Sequence, residues 1–281
     1  MTGGERVGVA GKRVGFGERV VGGDGPVGAR VGGAIAGASA GAVAGAGGVS
    51  GADEAAGAVS GAVAVGEGLA PLHDLYDVIH RRRDVRGQFT GEPLDPAVLN
   101  RVLLAAHAAP SVGLSQPWDF VLVRDDNTRR EFRDHVLRHR DSFAATLAGE
   151  RRERFAGIKI EGILESTLSV VVGYDAGRGA PAVLGRHSIP DAGLYSVCLA
   201  IQNLWLAATA EGLGVGWVSF YQEQFLAELL RMPAGVRPVA WLCLGPVSHL
   251  ETVPDLERHG WRARRPLAEA VHHGRWGERV E

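Results

Sequence analysis

Cysteine, lysine and net charge are all scarce in this 281-residue chain. Cys198 and Cys243 are the only cysteines, and no C-x-x-C pair exists. That excludes a disulfide framework, a thioredoxin-type redox motif and a cysteine-rich zinc module. Both lie in apolar runs and read as buried, reduced thiols of a cytoplasmic protein. Thirty basic side chains against 32 acidic ones leave a formal charge of −2, so no whole-chain field favours nucleic acid or an anionic membrane. Val31 to Ala52 carries no charge, but it is mostly Gly and Ala where a membrane span wants Leu, Ile and Phe. The N-terminus also lacks the basic region and compact apolar core of a secretory signal.

Glycine is abundant, and unevenly so: 22 of the 41 glycines precede residue 71. Residues 1–70 hold one aromatic, Phe16, and one isoleucine, Ile35. Such a segment buries too little surface to offset roughly 1–2 kcal/mol of ordering entropy per residue. The composition therefore predicts a disordered extension over 1–70 and a folded domain over 71–281. The run Gly37-Ala38-Ser39-Ala40-Gly41 fits the G-x-S-x-G elbow of serine hydrolases, but no strand precedes it to strain and expose the serine.

From residue 72 onward the pattern sharpens. His73 to Arg83 reads as a short helix. Asp95-Pro96 reads as an N-cap and first helical position, with Leu99, Val102, Leu103 and Ala106 at helical spacing and Pro110 as the stop. Phe120 to Val123 and Leu168 to Tyr174 are predicted strands. Between them, Arg124 to Thr167 is charged and mostly helical, which predicts a lid or arm. Asp191 to Glu211 is a long helix with Leu194, Val197, Cys198, Ile201, Leu204 and Ala208 on one stripe and Gly212 as its stop. Trp217 to Tyr221 and Val239 to Leu244 complete the strands. The element order predicts an α+β fold with a mixed or antiparallel sheet flanked by helices. Gly212, Gly214 and Gly216 follow a helix and precede a strand, the reverse of a dinucleotide-binding motif.

Three segments carry chemistry. Arg81-Arg82-Arg83-Asp84-Val85-Arg86 offers guanidinium forks suited to a phosphate, although arginines at a helix C-terminus also complement its dipole in solvent. A carboxylate among four arginines would stay an anion able to accept a proton, and an ordinary ion-pair network would do the same. Pro110 to Trp118 is a loop of small and hydroxyl residues with amides to offer a planar polar ligand, or simply a rigid connection over a buried Trp. Gly212 to Tyr221 has glycines that permit close approach of a flat ring and a hydroxyl, Ser219, predicted on a strand. His135 and His139 stand at i, i+4 on one helix, but no Glu, Cys or third His accompanies them at ligand spacing, so no metal is predicted.

In this order the segments resemble the nitroreductase superfamily of FMN-binding enzymes. RRRDVR at 81–86, AAHAAPSVGLSQPW at 105–118, VLGR at 183–186, the run 194–221, VAWLCLGPV at 239–247 and GWR at 260–262 are similar to its aerobic 5,6-dimethylbenzimidazole synthase branch. Ordinary nitroreductases usually have Ser at the position of Asp84, Asn at Leu114 and commonly Gly at Ser219.

The resemblance implies an intertwined homodimer with FMN at the subunit interface. It implies that reduced FMN, supplied by an external flavin reductase, is a substrate which O2 converts to 5,6-dimethylbenzimidazole, the lower ligand of cobalamin, and erythrose 4-phosphate. No metal takes part. Carried over by position, Arg81, Arg82, Arg83 and Arg262 would hold the phosphate, and Asp84 and Val85 would approach the ribityl chain and ring. Ser111 would sit on the ribityl or pyrimidine side, and Gly216, Trp217 and Val218 would offer amides near the N5 edge. Asp84 and Ser219 would be catalytic, under a lid spanning 138–165 that includes Lys159. The competing readings are an NAD(P)H-dependent nitroreductase or flavin oxidoreductase, and a non-catalytic FMN-binding protein.

Overall fold

The computed structural model describes residues 73–279, so the expectations for 1–70, including Gly37 to Gly41 and Val31 to Ala52, lie outside the described residues. The elements in chain order are α1 (His73–Arg81), α2 (Pro96–His107), β1 (Trp118–Val123), α3 (Asp126–Ala145), α4 (Gly149–Ala156), β2 (Leu168–Asp175), α5 (Ala192–Ala210), β3 (Leu213–Val218), α6 (Glu223–Leu229), β4 (Val236–Pro246) and α7 (Asp255–Arg258).

The strands form one sheet in the order β1-β2-β4-β3, with every neighbouring pair antiparallel. The one parallel pairing described is an isolated bridge between Asp84 and Val215. The central strand β2 reads Leu-Ser-Val-Val-Val rather than alternating, because both of its faces are covered. Val170 and Val172 join Leu242 and Leu244 of β4 against α2 and α5. Val171 joins Trp241 and Cys243 against α3 and α6. The domain is thus a sheet between two helical layers, an α+β arrangement as the element order predicts.

Local signals explain the boundaries. Asp95 caps α2 by accepting from the Ala97 amide at 2.8 Å, with Pro96 at the first helical position. Asp95→Ala is expected to lower stability by about 1 kcal/mol, read as a lower urea midpoint at unchanged slope. Gly212 follows α5 at φ +75, the left-handed turn that glycine adopts at a helix end. α5 is also long and apolar enough to cross a bilayer, but half of it is buried in the fold as a core helix.

Three expectations need correction. The segment 124–167, expected as a lid or arm, is in part a core element: Phe132 and Val136 of α3 are fully buried, and Phe132 stacks on Trp241 at 3.8 Å. A narrow apolar stripe within a helix rich in Arg and Asp is enough to seat it on the sheet. Cys243 is buried, but Cys198 is exposed, because the buried face of α5 runs through Val197, Ile201 and Leu204. Finally, β3 begins at Leu213, so Gly214 and Gly216 lie inside the strand and Ser219 lies just beyond its end.

Candidate active site

The site forms where the chain leaves α1 and runs alongside β3. The Val85 amide donates to the Val215 carbonyl at 2.9 Å, and the Trp205 indole donates to the Arg83 carbonyl at 3.1 Å. With the backbone held there, Asp84 reaches Trp217, whose amide donates to Asp84 Oδ1 at 2.9 Å. Arg86 closes a ring of contacts. Its Nη1 donates to Asp84 Oδ1 at 2.6 Å and its Nη2 to Asp84 Oδ2 at 2.5 Å, while Nη2 also donates to the Trp217 carbonyl at 2.7 Å. The Arg86 side chain is 12% exposed and the Asp84 side chain 46%, so the fork is sunk in the wall while the carboxylate meets the cavity. Oδ1 accepts two of these hydrogen bonds and Oδ2 one, which leaves Oδ2 the oxygen with more lone-pair capacity.

A cavity of about 340 Å³ opens over this fork, within the range of small-molecule sites. Its polar wall carries Arg82, Arg83, Asp84, Arg86, Lys159 and Arg264. Ile158, Ile160, Phe220 and Leu256 supply apolar surface. Among the cations, Arg86 is matched by Asp84, and Lys159 is paired with Glu165. Arg82 lies over the Trp205 ring at 5.0 Å. Burial, with repulsion from Arg264 and Arg82, holds the Arg83 guanidinium below its ordinary pKa. Its Nη atoms donate to the carbonyls of His80, Arg82 and Thr252, while its buried Nε has no partner among the described residues. Guanidinium groups crowded together in this way make the wall a candidate site for an anion.

Of the residues singled out in the sequence, Arg82, Arg83, Asp84, Trp217 and Ser219 come together in the cavity wall. Arg81 is exposed at the end of α1, outside the wall. Val85 and Val218 are core residues, 2% and 0% exposed. Ser111 sits apart from the wall, its hydroxyl accepting from the Gln116 amide at 3.0 Å. Arg262 is exposed and stands outside the wall, while Arg264 lines it, the chain bending at Trp261. Gly216 serves the protein itself: a Cβ there would stand 2.1 Å from the Val85 carbonyl oxygen and 2.6 Å from Arg86 Nη1. The glycine admits the Asp84–Arg86 segment against β3. Of the foreseen lid, Ile158 to Ile160 line the cavity. Sequence reasoning missed the positioning part of Arg86, although its spacing two residues from Asp84 signals a fork.

Residues 79–246 match the model of the nitroreductase family. The chain belongs to that family. This nitroreductase-family chain is 42% identical to the 5,6-dimethylbenzimidazole synthase of Rhodospirillum rubrum, over 66% of its own length and 87% of the relative's. Its fold is similar to a BluB-like flavoprotein from Clostridium difficile 630, with a TM-score of 0.54 at 20% identity over 72% of this chain and 99% of that one. It is likewise similar to an iodotyrosine deiodinase solved with FMN and 3-iodo-L-tyrosine, with a TM-score of 0.53 at 24% identity over 63% of this chain and 91% of that one.

Proposed function

We propose that this chain is an aerobic 5,6-dimethylbenzimidazole synthase that consumes reduced FMN and O2 and releases the benzimidazole and erythrose 4-phosphate. The observation that carries the reading is the Asp84 carboxylate, fixed by Arg86 and the Trp217 amide in the wall of a cationic cavity. The relation to the Rhodospirillum rubrum synthase supports it. The residues fit FMN on chemical grounds. Arg82, Arg83 and Arg264 suit a phosphate monoester, and the buried Arg83 Nε–H beside them has no partner among the described residues. When bound, reduced FMN supplies the electrons that reduce O2 and the ribityl carbons that are cut.

The protein's own part follows from the geometry. Arg82, Arg83 and Arg264 hold the phosphate end, while Ile158, Ile160, Phe220 and Leu256 exclude water from the ring end. Arg86 keeps the Asp84 carboxylate in a single orientation, so Oδ2 accepts and returns protons during bond cleavage. The Ser219 hydroxyl, at the same wall, would be placed to hydrogen-bond the flavin ring. A homodimer is the proposed working unit, since Leu75, Tyr76 and Ile79 of α1 and Tyr195 and Leu199 of α5 leave large apolar side chains exposed. An external flavin reductase is the proposed source of reduced FMN.

The deciding experiment exposes the protein with chemically reduced FMN to air and reads the products by mass spectrometry. Benzimidazole is expected. NAD(P)H consumption with intact flavin would mark a reductase, and slow reoxidation alone a binder. Arg264→Ala is expected to weaken FMN binding by about 10–100-fold, the worth of a hydrogen bond to a charged group, while leaving riboflavin binding nearly unchanged. Fluorescence titration with both ligands measures this, and equal losses for the two would remove Arg264 from the phosphate site.

A further inference from the structure

The loop that carries Ser219 is held from α3, residue by residue. The Phe220 ring meets Phe143 edge-on at 5.7 Å, and the Tyr221 ring meets Phe132 at 5.3 Å. The next residue, Gln222, donates its backbone amide to His135 Nε2 at 3.2 Å. His135 is 6% exposed, and its ring lies parallel to Phe225 of α6 at 3.8 Å. The histidine pair of the sequence analysis is therefore used in packing and loop anchoring, with His139 only 4.4 Å away on the next turn. A ring nitrogen that accepts a hydrogen bond has no proton of its own, so the anchor requires neutral imidazole.

We infer that His135 is a positioning residue that fixes Ser219 through the Gln222 amide and releases the loop when it is protonated. The inference rests on the proposed part of Ser219 at the flavin site. The groups around His135 do not favour its cation. Arg138 and His139 of its own helix oppose it. Tyr221, on the loop, stays neutral because burial pushes its hydroxyl up to about 12. On α6, Glu223 is forked to Arg237 of β4, and Glu228 accepts from Gln224. Burial, with His139 and Arg138 beside it, pushes His135 below the ordinary histidine value, which is about 6.5. The anchor is thus intact at neutral pH and is lost as pH falls through the lowered value. The same sign holds for stability, because the unfolded chain takes up this proton at higher pH than the folded one.

The test follows the Ser219 and Gln222 amides in protein ¹⁵N-labelled at serine and glutamine, between about pH 8 and pH 5. Both amides are expected to shift together on one transition below the ordinary histidine value. Over the same interval kcat for benzimidazole formation is expected to fall by about tenfold to a hundredfold, as for a misplaced group, with KM for reduced FMN changed less than about threefold. His135→Gln, whose carbonyl oxygen can still accept from Gln222, is expected to abolish the shared transition and flatten the acid limb. His135→Phe retains a ring for Phe225 without an acceptor and is expected to lower kcat at every pH. A Ser219 amide that ignores the transition, or a His135→Gln variant that titrates like the parent, would overturn the inference. The amide transition needs no turnover, so a parent protein that titrates but makes no benzimidazole refutes the proposed function and leaves the anchor standing.

Discussion

Asp84→Asn is expected to leave a folded, flavin-binding protein that makes no measurable benzimidazole. General acid–base groups contribute about 10²–10⁴-fold to rate, and an amide cannot take a proton in place of the carboxylate. The geometry also says what the variant keeps. An asparagine carbonyl oxygen can still accept from the Trp217 amide, as Asp84 Oδ1 does at 2.9 Å. Its amino group, however, faces Arg86 Nη2, which now donates to Asp84 Oδ2 at 2.5 Å. Arg86 would retain the carbonyls of Val85 and Trp217, so the wall stays assembled at a cost of about 1–3 kcal/mol, that of a hydrogen bond to a charged group. Flavin affinity within about tenfold of the parent, a modestly lowered melting temperature and loss of product by mass spectrometry are the expected set. A variant that turns over within about threefold of the parent would remove Asp84 from proton transfer.

Much of this domain is legible in the chain because its signals are local. The Asp95-Pro96 cap, the Gly212 stop and the uninterrupted valines of β2 each fix an element by a rule that acts within a few residues. What could not be read depends on contacts distant in sequence. The start of β3 was hidden because glycine is a weak strand former in isolation. Gly214 and Gly216 enter the strand because the 84–86 segment packs against them, with Val85 methyl carbons 3.0 and 3.2 Å from a Cβ built at Gly214. The seating of α3 on the sheet was masked by its charge, since two fully buried residues, Phe132 and Val136, anchor a helix of twenty.

The candidate site divides in the same way. The cluster at 81–86 reads as a candidate anion site, and Arg82 and Arg83 stand together in the cavity wall. Which later arginine joins them depends on the path of the chain after Trp261, whose ring lies beneath Arg151 at 4.4 Å and near Phe155 at 6.0 Å. No periodicity encodes that path, so Arg262 and Arg264 could not be told apart from spacing. Ser111 belongs to a loop whose internal hydrogen bonds are visible, while any part it takes in flavin binding depends on the proposed second subunit.

Gly216→Ala is expected to take away flavin binding and turnover together, a wider effect than that of Asp84→Asn. The new Cβ would meet the Val85 carbonyl oxygen at 2.1 Å and the Val85 carbonyl carbon at 3.3 Å, backbone atoms that no rotamer change can move aside. Relief requires the Asp84–Arg86 segment to lift from β3. That movement breaks the 2.9 Å bond from the Val85 amide to the Val215 carbonyl and the 2.9 Å bond from the Trp217 amide to Asp84. Overpacking of this kind costs about 1–3 kcal/mol, read as a lowered melting temperature. The displacement also carries Arg82 and Arg83 away from the proposed phosphate position, so FMN affinity should fall by about 10–100-fold, the worth of a hydrogen bond to a charged group. Gly87→Ala is the matched control, because its Cβ would meet only Lys159 Cδ, at an ordinary 3.7 Å. If Gly216→Ala binds FMN and melts like Gly87→Ala, the close packing of this segment on β3 is not what builds the site.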